Sequence, residues 1–489
     1  FDPKIFRYAL DTLTHRGPDG KGIWSDGRDC DLGHRRLSIL DVSANGDQPM
    51  HYSQGRFHLV FNGEIYNFVE IRKKLVERGE AFFSDSDSEV LLIAFKVWGA
   101  ECLLKLNGMW SFAVWDDLDK TLFVARDPMG EKPLYYYQND KNIFFASEQK
   151  ALLPFMKVVR PAENFNSLVK NHYAYEGTDR CLVDGIKRFP AGHYGIYSQQ
   201  ELAIKRYWTL DDSETDAGGS YLDQVHYLRE LLVDSCKLRM RADVPIGTAL
   251  SGGVDSGAVA SSVCQAARLT NSRSSDRWQS AFVASFPGTI MDEAQGANLI
   301  ASHLDINLHR VTTSMGHDLS SRFDRAAYLL EEVHEVNPLP HIELYKSMRK
   351  EGVLVSLDGH GGDELFCGYE SSILHALGDA GVGLSDVRQV LNAYKPVHPN
   401  DPSFKGLNVI QILGYLARQK IRTWSSAPSR SKYDKAAVIN FGDLERHLFE
   451  LSFKTVLPTL LRNYDRYSMI NGVEVRIPLL DPRIVRFAF

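Results

Sequence analysis

The chain has 489 residues, with 56 Lys+Arg against 62 Asp+Glu for a net charge of −6. That length predicts two or three domains, and without a basic run interleaved with aromatics neither nucleic acid nor a membrane surface is an expected partner. No apolar stretch approaches membrane-spanning length, the opening "FDPKIFRYALDTLTHRG" lacks the pattern of a signal peptide, and six scattered cysteines (Cys30, Cys102, Cys181, Cys236, Cys264, Cys367) without CxxC pairing suit reduced thiols in the cytosol.

From Phe57 to Ser147 short apolar and polar runs alternate between turn clusters. "FHLVFNGEIYN" reads as a strand, "SEVLLIAFKVWGAECLLKL" as a helix, and "SFAVWDDLDKTLFVARD" and "PLYYYQNDKNIFFAS" as antiparallel hairpins. The first half is therefore expected to be antiparallel sheet with helices packed on it. After Tyr207-Trp208 the polar, Gly-rich "DDSETDAGGS" marks a change of rhythm. Leu222, Val225, Leu228, Leu232 and Cys236 recur at steps of three and four, which predicts a helix with one buried face. The strand "IGTAL", a helix with Val259, Val263 and Ala267 on one stripe, the strand "SAFVASF", a helix from Asp292 and the strand "VLVSL" then follow. Alternating strands and helices predict a parallel, doubly wound sheet, which binds ligands beyond the carboxyl ends of its strands.

Two Gly-rich loops stand at such ends and are expected to face one crevice. In "ALSGGVDSGAVAS", Ser251, Gly252, Gly253, Asp255 and Ser256 lie between a strand and a helix start. Glycines admit backbone N–H groups to phosphate oxygens, hydroxyls add donors, and Asp255 is a hard oxygen ligand for magnesium. No GxxxxGK[ST] loop occurs, so a kinase-like phosphate cradle is not expected. The second loop, "VLVSLDGHGGDELFCGY", ends an apolar run in glycines and acids around His360. In the first half, "THRGPDG", "LGHRRLSILD", "FNGEIYN", "SDSDSEV" and "ARDPMGEKPLYY" supply a cation for a carboxylate (Arg36), an amide for an oxyanion (Asn62, with the Gly63 backbone) and carboxylates for an ammonium (Glu64, Asp87). That set suits the amino-acid end and the reacting amide of glutamine.

With these motifs in this order the chain resembles the glutamine-dependent asparagine synthetases from Thr14 to "MINGVEVRIPLLDP", apart from a variable stretch near 370–450. The resemblance implies a two-domain α/β protein. An N-terminal Ntn-hydrolase-type αββα sandwich of antiparallel sheets, residues 1–210, would be the class II glutamine amidotransferase. Residues 211–489 would be a doubly wound parallel PP-loop synthetase domain of the ATP pyrophosphatase type. It implies that glutamine is hydrolysed in the first domain and that ammonia passes to the second, where ATP adenylates a carboxylate. The "SGGVDS" loop is similar to the family's pyrophosphate loop, with Leu250, Ala284, Asp358 and Gly359 also at the nucleotide and Asp363 beside Asp255 on Mg²⁺. Arg466 matches a position where the family sets a cation, often lysine, against the phosphates. The implied partners are glutamine, ATP and a carboxylate substrate, in a cytoplasmic homodimer.

Three departures qualify the resemblance. The family's nucleophile is an N-terminal cysteine, whereas residue 1 is Phe and no cysteine falls in an amidotransferase motif. The chain also stops soon after the PLLDP motif, so both ends are expected to extend beyond the residues given. The position of His360 is usually glutamate in the family, and an imidazole there can take a proton from an attacking nitrogen near neutral pH. It also removes a negative charge, so the acceptor need not be aspartate. Two other readings stay open: a lactam- or macrolactam-forming synthetase without glutaminase activity, and a catalytically silent binding or storage relative.

Overall fold

The computed structural model describes residues 2–210, 218–270, 279–312, 319–334, 337–369, 371–372, 375–376 and 442–489. Most of the Gly-rich segment after Trp208 and most of the variable stretch lie outside the described residues.

The first half is built on two antiparallel sheets. After the hairpin of β1 (Gly20–Ser25) and β2 (Asp31–Arg36) come β3 (Met50–Tyr52), β4 (Phe57–Ile65), β5 (Gly108–Asp116) and β6 (Thr121–Arg126). β7 (Tyr135–Gln138), β8 (Ile143–Ala146), β9 (Ile186–Arg188), β10 (His193–Ser198) and β11 (Glu201–Arg206) complete the half. The larger sheet runs β11-β10-β6-β5-β4-β3 and the smaller β8-β7-β9. Both hairpins expected from the sequence form, with Asp116 opposite Thr121 in one and Gln138 opposite Ile143 in the other. β5 is buried along its whole length because both its faces are covered. On one side Phe112 and Val114 join Leu91, Leu92 and Ile93 of the Asp87–Trp98 helix; on the other Ala113 meets Tyr136 and Phe189 of the second sheet layer. A helix layer on two stacked sheets is the expected sandwich.

The second half is a five-stranded parallel sheet in the order β14-β13-β12-β15-β16, made of β12 (Ile246–Ala249), β13 (Gln279–Ser285), β14 (Asn307–Thr312), β15 (Val355–Leu357) and β16 (Glu474–Arg476). β12, β13 and β15 match the expected strands, while β14 and the three-residue β16 carry too little pattern to read in advance. The chain leaves β12 for β13 and β14 on one side, then crosses to β15 on the other. The order therefore reverses between β12 and β15, the place where an open parallel sheet leaves a crevice for ligands.

The helix expected after the Gly-rich segment spans Tyr221–Arg239, but only part of its stripe is covered. Leu232 and Cys236 are buried against Val259 and Val263, whereas Leu222 and Val225 are exposed. The helix overhangs the sheet at its amino end, so periodicity continues past the surface that buries it.

Candidate active sites

Both Gly-rich loops leave the sheet at the reversal, from β12 and β15. In the first, Ser251 Oγ and Ser256 Oγ are 2.8 Å apart, and Gly253 N–H donates to Ser251 Oγ at 3.1 Å. Gly253 caps the Val254–Leu269 helix, so the loop ends at a helix N-terminus with its partial positive charge. The two loops interlock so tightly that only glycine fits. A Cβ on Gly359 would stand 2.6 Å from Ser256 N, and one on Gly362 would stand 2.2 Å from Asp255 Oδ2. Gly252 faces Gly296 in the same way, with Cβ-to-Cα clearance of 3.2 Å, which seats the Ala294–Leu304 helix beside the loop. Burial and then the Asp363 charge push the Asp255 carboxyl above its ordinary range, while Asp363 is exposed.

His360 lies over Tyr464 with ring centroids 3.6 Å apart, and its Nε2 is 3.7 Å from Asp358 Oδ2. Its buried Nε2 has no hydrogen-bond partner. Asp358 is buried and accepts from Ala249 N–H at 3.2 Å, Ser356 Oγ at 2.5 Å and Tyr345 OH at 2.7 Å. Burial pushes that carboxyl up, but His360, Ser356 and Tyr345 outweigh it and hold the group below its ordinary value. Across from His360, burial and then the His360 charge bring His341 down to about 4, so it is neutral near pH 7.

The residues expected at the nucleotide do not all stand alike. Ser251, Gly252, Gly253, Asp255, Ser256, Gly359, His360 and Asp363 come together at the two loop ends. Leu250 is buried with its N–H donating to Phe282 O at 2.8 Å, and Ala284 sits near the carboxyl end of β13. Asp358 ties β12 to β15 through Oδ1 and holds the Leu339–Lys350 helix through Oδ2. Arg466 is not brought to the loops: its guanidinium pairs with Glu148 at 2.5 Å and Glu331 at 3.0 Å, at the boundary with the first half. It is fully buried on the Val456–Met469 helix, where the next turn back carries Tyr464 toward His360 and Arg462 toward Glu176 at 2.7 Å. Helical spacing thus sends neighbouring positions of "RNYDRYSM" to different places, which the motif alone does not reveal.

A second cavity opens at the end of β4. Arg36, Asn62, Gly63, Glu64 and Asp87 all line it, and so do Met469 and Glu474 from the other half. Gly63 has φ +148°, and a Cβ there would lie 2.0 Å from Met109 O, so glycine alone is accommodated where the strand passes β5. Asn62 Nδ2 donates to Ser147 Oγ at 3.4 Å. Asp87 opens its helix with Oδ2 accepting the Ile65 N–H at 2.8 Å. Burial pushes Asp87 up to about 6, and burial and then Asp87 push Glu64 well above its ordinary value. Arg36 stands on the wall, but its Nη1 donates to Ser43 O and Asp47 Oδ1 and its Nη2 to Leu40 O and Asp41 O. Four of its five N–H groups thereby pin the 40–47 loop, and Nε–H remains. None of the six cysteines lines this cavity.

Comparison with known proteins gives a family match for each half. The glutamine amidotransferase domain matches residues 2–208, and the asparagine synthase domain matches residues 227–489. The chain belongs to the asparagine synthetase family. It is 30 % identical to asparagine synthetase [glutamine-hydrolyzing] 3 of Bacillus subtilis over 98 % of this chain and 76 % of that protein. Asparagine synthetase [glutamine-hydrolyzing] 1 of the same organism is 31 % identical over the same shares. Amidase chry2 of Gibberella zeae is 27 % identical over 98 % of this chain and 77 % of its own length. Family members at similar distance thus carry different names for their reactions. The residues that sequence reasoning left without a role are Tyr464, Glu474 and Arg476. The last two lie in "GVEVRIP", whose only advance signal is two charges at strand spacing in an apolar run.

Proposed function

We propose that the protein hydrolyses glutamine at the β4 cavity and uses the ammonia to amidate a carboxylate that ATP has adenylated, releasing AMP and pyrophosphate. The observation that carries this reading is the meeting of Asp255, Asp363 and the Ser251–Ser256 cradle at the reversal of a parallel sheet, in a chain with a second cavity at the end of β4. The domains of the reading are 1–210 and 211–489.

ATP phosphates would take N–H donors from Gly252 and Gly253 and hydroxyls from Ser251 and Ser256. Among the described residues no group of three or more His, Cys, Asp or Glu is arranged for a metal ion. Two carboxylates fit Mg²⁺ nonetheless, because it is commonly held by one or two carboxylates together with phosphate oxygens and water. Asp255 and Asp363 would hold it, and the bound ion would neutralise charge on the departing pyrophosphate. His360 would take the proton of the attacking nitrogen, kept in orientation by Asp358 and Tyr464. At the other site Asn62 Nδ2–H and the Gly63 N–H would face the oxyanion, Glu64 and Asp87 the α-ammonium, and Arg36 Nε–H the α-carboxylate. Arg466, paired with two glutamates, contributes to the joining of the halves in this reading and not to the phosphates.

No described helix is long and apolar enough to cross a membrane, and the proposed setting is the cytoplasm, as a homodimer that sedimentation would verify. The test of the reading is pyrophosphate release from ATP and Mg²⁺ with a panel of carboxylates, aspartate first. Release that depends on one of them supports the reading, and its absence with every acid refutes the synthetase assignment.

A further inference from the structure

The β4 cavity is not closed by the first half alone. Glu474, on β16 of the parallel sheet, lines it beside Glu64 and Asp87. Glu474 and Glu64 share one guanidinium. Arg476 Nη2 lies 3.2 Å from Glu64 Oε1, and Arg476 Nε–H donates to Glu474 Oε1 at 2.9 Å. The guanidinium is held in place because Nη1 also donates to the carbonyls of Arg239 and Arg241, at 2.8 and 2.7 Å. Lys132 lies 3.7 Å from Glu474 Oε2 and 3.8 Å from Asp465 Oδ1, and Asp465 is itself paired with Arg16 at 2.8 Å; Arg35, Arg36 and His34 also line the cavity, His34 brought down to about 4 by burial. Tyr66 lies beneath Arg476, its ring 5.4 Å away. Glu64 is 4 % and Glu474 6 % exposed, and Glu64 Oε2 has no hydrogen-bond partner. A buried carboxylate oxygen on a cavity wall is matched best by a cationic donor in the cavity.

We propose that Glu474 is a glutamine-binding residue supplied by the synthetase half: its carboxylate joins Glu64 and Asp87 in receiving the α-ammonium of glutamine, with Arg476 as the positioning residue. The inference rests on the reading of this cavity as a glutamine pocket and deepens it. Strand β16 then forms a wall common to both sites, since the Arg476 carbonyl accepts the Asp358 N–H at 3.0 Å on the strand that leads to His360. It has a thermodynamic consequence as well. Asp87 sits at about 6 and Glu64 is raised, both through burial first, so an ammonium placed against them favours their ionised forms and expels protons near pH 6.

The test is calorimetric titration of the full chain with glutamine and with glutaramate, which keeps the amide and carboxylate of glutamine and lacks its α-amino group. Wild type is expected to prefer glutamine. Glu474→Gln should weaken glutamine by about tenfold or more, the worth of one hydrogen bond to a charged group, and leave glutaramate unchanged. Glu474→Asp, which keeps the charge, should restore most of the preference. ATP binding, expected to be unaltered in both variants, reports their folding. Wild type alone gives a second arm: at pH 6 glutamine should release protons, seen as a dependence of binding heat on buffer, and glutaramate should not. Equal weakening of both ligands, unchanged discrimination in Glu474→Gln, or equal proton release with both ligands would overturn the assignment. If wild type binds neither ligand, the glutamine reading falls and takes the inference with it. If both bind and Glu474→Gln leaves discrimination intact, only the inference falls.

Discussion

The β4 cavity and the crevice at the end of the parallel sheet are built on opposite plans. The cavity stands on a nine-residue strand paired along its length with β5, and its carboxylates are buried with a shared guanidinium behind them. The crevice is made of two loop ends that meet through glycines, with an exposed Asp363 and a wall of histidine and tyrosine rings. A charged, buried site suits a single ligand of defined charge, as glutamine is. A site of loop ends suits two substrates and a departing group, because loops can be re-spaced without disturbing the sheet. The boundary between them is a third environment, where Arg16, Arg462 and Arg466 each meet acids from across the halves.

Substitutions at the crevice should break the contrast most completely. Asp255→Asn or Asp363→Asn should lower carboxylate-dependent pyrophosphate release by on the order of 10³-fold or more, since each removes a charge proposed to hold the metal, and should leave glutamine binding unchanged. Loss of both properties in a folded variant would mean that the two sites are one functional unit. His360→Ala should lower amide formation by about 10²–10⁴-fold, the usual worth of a general base, while carboxylate activation persists. His360→Gln should not restore it because an amide cannot accept the proton, and normal amide yield from the alanine variant would make His360 a packing residue.

The boundary gives a stability effect in place of a chemical one. Arg466→Met leaves Glu148 and Glu331 buried without their shared guanidinium, which should cost about 3–5 kcal/mol, read by denaturant unfolding. Folded enzyme should keep its pyrophosphate release per active site; a collapse of that rate would return Arg466 to the phosphates. The smallest expected effect sharpens the account of the cavity. Asp87 is raised to about 6 by burial, so the folded state binds its proton more tightly than the unfolded chain. Its contribution to stability is complete below the unfolded value near 3.8 and is lost as pH rises through about 6. Asp87→Asn should therefore flatten the decline in stability between about pH 4 and 6, by on the order of 2 kcal/mol. An unaltered pH profile would place the titrating proton elsewhere in the trio.

How much of this was legible beforehand depends on how local each feature is. The hairpins at 111–127 and 133–147 and the Gly loops at 251–256 and 359–363 are written in adjacent residues, so turn chemistry and spacing reveal them. β16 is three residues long, and its place at the sheet edge comes from pairing with β15 more than a hundred positions earlier. The stripe of the Tyr221–Arg239 helix predicts burial that the sheet is too short to supply at Leu222 and Val225. Arg36 was legible as a residue of the cavity, but not the four acceptors in the 36–47 turn that engage it.

The sequence by itself determined the class of each half and the residue types each site requires, because backbone conformation, glycine clearance and charge are properties of short segments. Only the tertiary structure decided which of those charges meet. It sent Arg466 to Glu148 and Glu331, set Tyr464 under His360, and brought Glu474 and Arg476 against Glu64. These contacts join residues more than a hundred positions apart, and their strength comes from exclusion of water that exists only once the chain has folded.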